Sequence, residues 1–138
     1  MRLQLALNVR KLDEAIEYYS KLFNASPHKI RAGYANFSIE NPPLKLVLFE
    51  KPEAEERVNH LGVEVFNVNE LEKASRRLQA SGMVNRIETD ETCCHATQDK
   101  VWSQEPQGLH WEWYRIKDDN PENASNTADT CCATSSCG

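Results

Sequence analysis

Between Arg2 and Val9 every second residue is apolar, with Leu3, Leu5, Leu7 and Val9 on one face, and that period of two predicts a strand. The pattern then changes. Leu12, Ala15, Ile16, Tyr19, Leu22 and Phe23 fall on one stripe of a helix from Leu12 to Phe23. Strand-like runs follow around His28–Ile30, Tyr34–Ile39 and Leu44–Glu50, punctuated by Gly33 and by Pro42-Pro43. Lys51 to Arg57 is polar and reads as a linker.

The same order then starts again. Val58 to Phe66 puts Leu61, Val63 and Val65 on one face. Asn67 has the character of a helix N-cap, with Glu70 three residues on as in a capping box. The helix continues through Leu71, Ala74 and Leu78, and Gly82 is placed to end it. Further strand-like runs lie near Asn85–Thr89, Lys100–Gln104 and Leu109–Ile116. A strand–helix–strand–strand–strand unit used twice is an internal repeat with little sequence identity between copies. Either half alone would suit a ferredoxin-like α+β domain. The tandem pair predicts one domain over 1–116, with module one at 1–50, the linker at 51–57 and module two at 58–116. After Ile116 the periodicity stops, and 117–138 reads as a disordered, cysteine-containing tail.

Composition narrows the class. The 138 residues are 40% hydrophobic and 27% charged, ordinary for a globular protein. No apolar run approaches the ~20 residues of a membrane span. The N-terminus lacks the apolar block of a signal peptide, so a cytoplasmic location is expected. The net charge of −5 is concentrated in the tail. Residues 118–138 hold Asp118, Asp119, Glu122 and Asp129 and no base; taking those four from 21 acids leaves 17 against 16 bases. That balance argues against a nucleic-acid partner. The exposed edges of paired modules leave a homodimer open.

Alternation also sorts the polar residues. Gln4, Ala6 and Asn8 lie opposite the leucines of the first strand; His60, Gly62 and Glu64 share a face of the strand that opens the second copy; His110, Glu112 and Tyr114 share a face of the last. One His, one carboxylate and a third N or O donor approximate the facial triad of non-haem Fe(II) oxygenases, with Gln in place of one His. A shell without thiolate argues against structural zinc. Gln4, His60 and Glu112 are the candidate ligands, and Glu64 is the rival carboxylate. Each alone has an ordinary reading, as a hydrogen-bonded or solvent-facing residue. In the last strand of module one, the inner positions are either Lys45, Val47 and Phe49 or Leu46 and Leu48. Neither set supplies a fourth ligand.

The five cysteines are an odd number in two clusters, Cys93-Cys94 and Cys131-Cys132 with Cys137. In a reducing compartment they read as thiols. Two vicinal thiols suit a soft centre such as trivalent arsenic, and His95 beside them could lower a thiol pKa. In a regular strand, neighbours point to opposite faces and could not share one atom. The segment from about Asp90 to Gln98 is therefore expected to be an irregular, mobile loop. A polar surface loop with incidental thiols is the other reading.

The runs LQLALNVRKLDEAIEYYSKLF, GYANFSIENPPLKLVLFE, NHLGVEV and ETCCHA together closely resemble the organoarsenical carbon–arsenic lyases of the vicinal-oxygen-chelate superfamily, over residues 1 to about 116. Many relatives of that group are labelled cadmium-induced proteins. The resemblance implies two βαβββ modules curving round a metal cavity. It implies Fe(II) at the positions matching Gln4, His60 and Glu112, and As(III) captured by Cys93 and Cys94. The implied reaction is O2-dependent cleavage of the C–As bond of methylarsonite and trivalent aromatic arsenicals, releasing arsenite. Two rivals stand beside it. One is a non-catalytic thiol protein that binds cadmium or arsenite, and the other is a glyoxalase-like isomerase, which would draw four ligands.

Overall fold

The structure, a computed structural model, describes residues 1–93 and 96–121, with Cys93 described through its backbone alone. Its elements in chain order are β1 (Arg2–Val9), α1 (Leu12–Phe23), β2 (Lys29–Arg31), β3 (Tyr34–Ile39), β4 (Leu44–Glu50), β5 (Val58–Glu64), α2 (Val68–Ala80), β6 (Arg86–Cys93), β7 (Ala96–Gln104) and β8 (His110–Asp118). The expected α+β class and the repeated strand–helix–strand–strand–strand order are both present. The chain divides into two compact units, Arg2–Leu61 and the residues from Gly62 onward, with the division inside β5.

In the first unit β1 runs parallel to β4, in a register that sets Gln4 beside Lys45 and Ala6 beside Val47. Strand β3 pairs antiparallel with β4, and β2 with β3. On the other side of β1 lies the start of β5. The apolar face of β1 then has a job. Val9, Leu12, Ala35, Phe37, Ile39, Leu46 and Leu48 form a buried core, and Ala15, Ile16, Tyr19 and Phe23 of α1 close over it. The first turn of α1 has no side-chain cap of its own at Lys11. Instead Glu50 of β4 accepts the Leu12 N–H at 2.8 Å, satisfying one of the orphan donors of the helix start. Asn24, at φ 48, ends the helix in the left-handed conformation that Asn tolerates.

In the second unit the end of β5 is followed by β8, β7 and β6. Asn67 caps α2 as expected, its Oδ1 accepting the Glu70 N–H at 2.9 Å. The Glu70 carboxylate reaches back to the N–H of Phe66 at 3.2 Å, one residue before the cap. Gly82, at φ +68, follows the helix, and Met83 N–H returns to Leu78 O at 2.9 Å. The core here is Val65, Leu71, Leu78 and Val101, with Val63, Val84 and Trp113 against it.

Two expectations change. The segment from Asp90 to Gln98 is not an irregular loop over its described part. Strand β6 continues to Cys93 and β7 starts at Ala96, with Cys93 opposite Ala96. The described irregularities are a bulge between Glu88 and Glu91, where Asp90 takes φ 54, and a register shift against β8 between Thr97 and Gln98. Side-chain contacts hold this ribbon. Asp99 accepts the Asp90 N–H at 2.8 Å, Lys117 pairs with Asp90, and the Thr92 and Thr97 hydroxyls meet at 3.0 Å. Strand β8 also runs to Asp118, two residues past the expected end of module two. The tail cysteines Cys131, Cys132 and Cys137 lie outside the described residues.

Candidate metal centre

The polar face of β1 is buried. Gln4 and Asn8 are covered almost completely, and His60 of β5 is 0% exposed. In the first unit, Gln4 Nε2 lies 3.2 Å from His60 Nε2. The other ring nitrogen of His60 is 2.7 Å from Asn59 Oδ1. Phe49 of β4 flanks the imidazole, with the ring centroids 6.5 Å apart. The structure thus brings two of the three candidate ligands together, with the donor atoms Gln4 amide and His60 Nε2 facing each other. Beyond Phe49, the Lys51 ammonium lies 5.6 Å from the Phe49 ring centroid. Partial burial lowers the pKa of Lys51 from the ordinary 10.5.

Glu112, the third candidate, projects from β8 in the second unit and is fully buried. Its Oε2 lies 3.1 Å from Lys100 Nζ, an ion pair with both side chains inside the protein. The two atoms are close in distance but not aligned as a hydrogen bond. The attraction is therefore mainly charge against charge. Glu64, the rival carboxylate, is also buried, at 4% exposure. Both acids keep their place on an inner face, as the alternation predicts. Among the described residues no three side chains drawn from His, Cys, Asp and Glu converge to hold a metal.

Of the thiol motif, strand β6 ends at Cys93, while Cys94, His95 and the Cys93 side chain lie outside the described residues. Asn8, Asn59 and Lys100 are the contributors that sequence reasoning passed over. Alternation had put Asn8 on the inner face and offered no role for it. Lys100 sat at the very start of the expected strand, where face assignment is weakest.

A neutral imidazole, an amide oxygen and a carboxylate form an N,O set suited to a six-coordinate divalent ion such as Fe(II) or Mn(II). His60 and Gln4 already turn their donor groups to one another, and a half-turn of the Gln4 amide presents oxygen in place of nitrogen. Gln4 and His60 fit two positions of such an ion.

The sequence profile described as the Glyoxalase/Bleomycin resistance protein/Dioxygenase superfamily matches residues 3–113. The chain belongs to this superfamily. A superfamily relative from Thermomonospora curvata, named trivalent organoarsenical cleaving enzyme, is 48% identical over 132 residues, covering 95% of this chain and 87% of that protein. The cadmium-induced protein CadI of Mycobacterium tuberculosis is 46% identical over 140 residues, covering 95% of this chain and 92% of its own. Among solved structures, the Mn(II)-bound glyoxalase from Novosphingobium aromaticivorans has a TM-score of 0.61 at 14% identity, over 89% of this chain and 41% of that one. That likeness establishes the glyoxalase fold. No described helix is long and apolar enough to cross a membrane.

Proposed function

We propose that the chain is an Fe(II)- and O2-dependent enzyme that cleaves the carbon–arsenic bond of trivalent organoarsenicals and releases arsenite. The observation that carries this reading is the 48% identity, over nearly the whole chain, to a protein named trivalent organoarsenical cleaving enzyme. The buried Gln4–His60 pair supports the metal part of it.

In this reading His60 gives Nε2, Gln4 its amide oxygen and Glu112 its carboxylate to the ion. When bound, the ion supplies open positions at which O2 is taken up and activated. Cys93 and Cys94 capture the substrate. Each thiol displaces one hydroxyl of R–As(OH)2, forming two S–As bonds and releasing two waters, and the organic group stays on arsenic. His95, next in sequence, helps draw the thiol proton. A reducing cytosol is the compartment that keeps both thiols free for this step.

Aerobic incubation of the Fe(II)-loaded protein with methylarsonite, followed by arsenic speciation, is the test. Inorganic arsenite is the expected product, and methylarsonite recovered intact overturns the reading. The relative named for its induction by cadmium favours a second one, capture of soft metals by the thiols without turnover. That reading gives Gln4 and His60 no task. It predicts tight cadmium binding with no O2 uptake when methylarsonite is added.

A further inference from the structure

His60 sits at one end of a chain of side-chain amides, and the far end of that chain has only one polarity. Asn8 Nδ2 donates to the main-chain oxygen of Glu56 at 2.9 Å. A carbonyl oxygen can only accept, so the Asn8 amide is oriented with its own oxygen turned the other way. That oxygen is met by Asn59 Nδ2 at 3.0 Å, which must be the donor. The Asn59 amide is thereby oriented too, and its Oδ1 faces His60 Nδ1 at 2.7 Å. An amide oxygen needs a donor opposite it. His60 must therefore carry a hydrogen on Nδ1, which in the neutral ring puts the lone pair on Nε2. Arg57 holds the anchor in place: Asn8 N–H donates to its main-chain oxygen at 2.8 Å, and its side-chain Nε donates back to Asn8 O at 3.0 Å.

We infer that Asn59, oriented by Asn8, is a positioning residue that holds His60 as its Nδ1–H tautomer and so reserves Nε2 for a metal ion. The inference rests on the metal reading given above. Amide orientation and imidazole tautomer are ordinarily ambiguous from heavy-atom positions. Here the Glu56 carbonyl removes the ambiguity, because reversing any one member would set two acceptors or two donors face to face. An outer partner of this kind commonly changes metal affinity 10- to 100-fold when it is removed.

The test uses the full 15N-labelled chain. Long-range 1H–15N NMR on the metal-free protein reads the tautomer, and Co(II) titration reads the affinity. In the wild type, Nδ1 is expected as the protonated nitrogen. Asn59→Leu is expected to move the hydrogen toward Nε2 and weaken Co(II) binding by about 10- to 100-fold. In Asn8→Ala the Asn59 amide is free to turn over, and a mixture of tautomers is expected. Adding Asn59→Asp to Asn8→Ala should restore Nδ1–H, because a carboxylate accepts whichever way it lies; a merely structural role would give no such rescue. An Nε2–H tautomer in the wild type overturns the inference. So does an Asn59→Leu protein with unchanged tautomer and Co(II) affinity. Should Asn59→Leu fail to fold, the wild type and the Asn8→Ala pair still decide it. Failure of carbon–arsenic cleavage leaves both readouts in place, so the two proposals fail separately.

Discussion

Lys100 Nζ lies 3.1 Å from Glu112 Oε2, and the two side chains are 1% and 0% exposed. A carboxylate proposed as a metal ligand is thus paired with an internal cation. Breaking such a buried pair by removing one member costs about 3–5 kcal/mol, because the other charge stays buried alone. Lys100→Met is expected to destabilise the metal-free protein by an amount of that order. Added Co(II) should then raise its melting temperature more than it raises the wild type's, since the ion takes over the balancing of Glu112. Equal shifts in the two proteins, measured without oxygen, would remove Glu112 from the ligand set.

Glu64 and Glu112 compete for the carboxylate role, and both are buried at inner positions. If Glu112 is the ligand, Glu112→Gln should weaken Co(II) binding by at least tenfold, while Glu64→Gln changes it by no more than a few-fold. The reverse ranking in an anaerobic titration hands the role to Glu64.

Cys93→Ser and Cys94→Ser are each expected to abolish arsenical binding, since one remaining S–As bond loses the chelate. Metal affinity should not move. Retention of wild-type dealkylation by either variant rules out the two-thiol capture.

Much of this was legible in the sequence, for reasons that also show where it stopped. Both helices begin and end where expected, because the apolar stripe of α1 and the Asn67–Glu70 cap of α2 are local signals. The first four residues of β7 were missed. Its buried positions there are Ala96 and Gln98, a small residue and a polar one, where a period-two search looks for large apolar ones. The buried inner placement of Gln4 and His60 was legible from alternation. Their support was not. Neighbours along a strand face opposite ways, and that rule separates Asn59 from His60; the short amide nonetheless reaches back to the ring. Lys100 and Glu112 meet diagonally across the β7–β8 pairing, where Lys100 lies opposite Tyr114 and Glu112 opposite Trp102, a contact that no local pattern encodes.

Lys51 offers a pH test. Its folded-state pKa is lowered by burial from 10.5, so between those two values the folded chain binds fewer protons than the unfolded one. Stability contributed by this group therefore rises with pH across that window and is lost again as pH falls through the lowered value. Lys51→Met is expected to be more stable than the wild type at neutral pH, with a flatter rise toward pH 10.5. Parallel urea midpoints across the pH range in both proteins would exclude the effect.

The repeat makes a last prediction, about the number of protein ligands in the proposed metal centre. Strands β1 and β5 share one burial pattern, buried at Gln4, Ala6 and Asn8 and at His60, Gly62 and Glu64. Gln4 therefore occupies the place of His60. Matching Leu44–Glu50 of the first copy to Leu109–Arg115 of the second sets Val47, between Leu46 and Leu48, against Glu112, between Trp111 and Trp113. Val47 pairs with Ala6, on the same face as Gln4, and is buried. The first copy thus places an apolar side chain where the second places its carboxylate. Val47→Glu would supply a fourth donor. Burying a carboxylate without a partner is costly, so the metal-free variant should lose stability. With an ion present the new carboxylate gains its partner, and Co(II) affinity should rise at least tenfold. Turnover of methylarsonite should fall sharply, because the added ligand takes a position that O2 and substrate need. A Val47→Glu protein that binds Co(II) no more tightly and still turns over would show that Val47 lies outside the coordination shell.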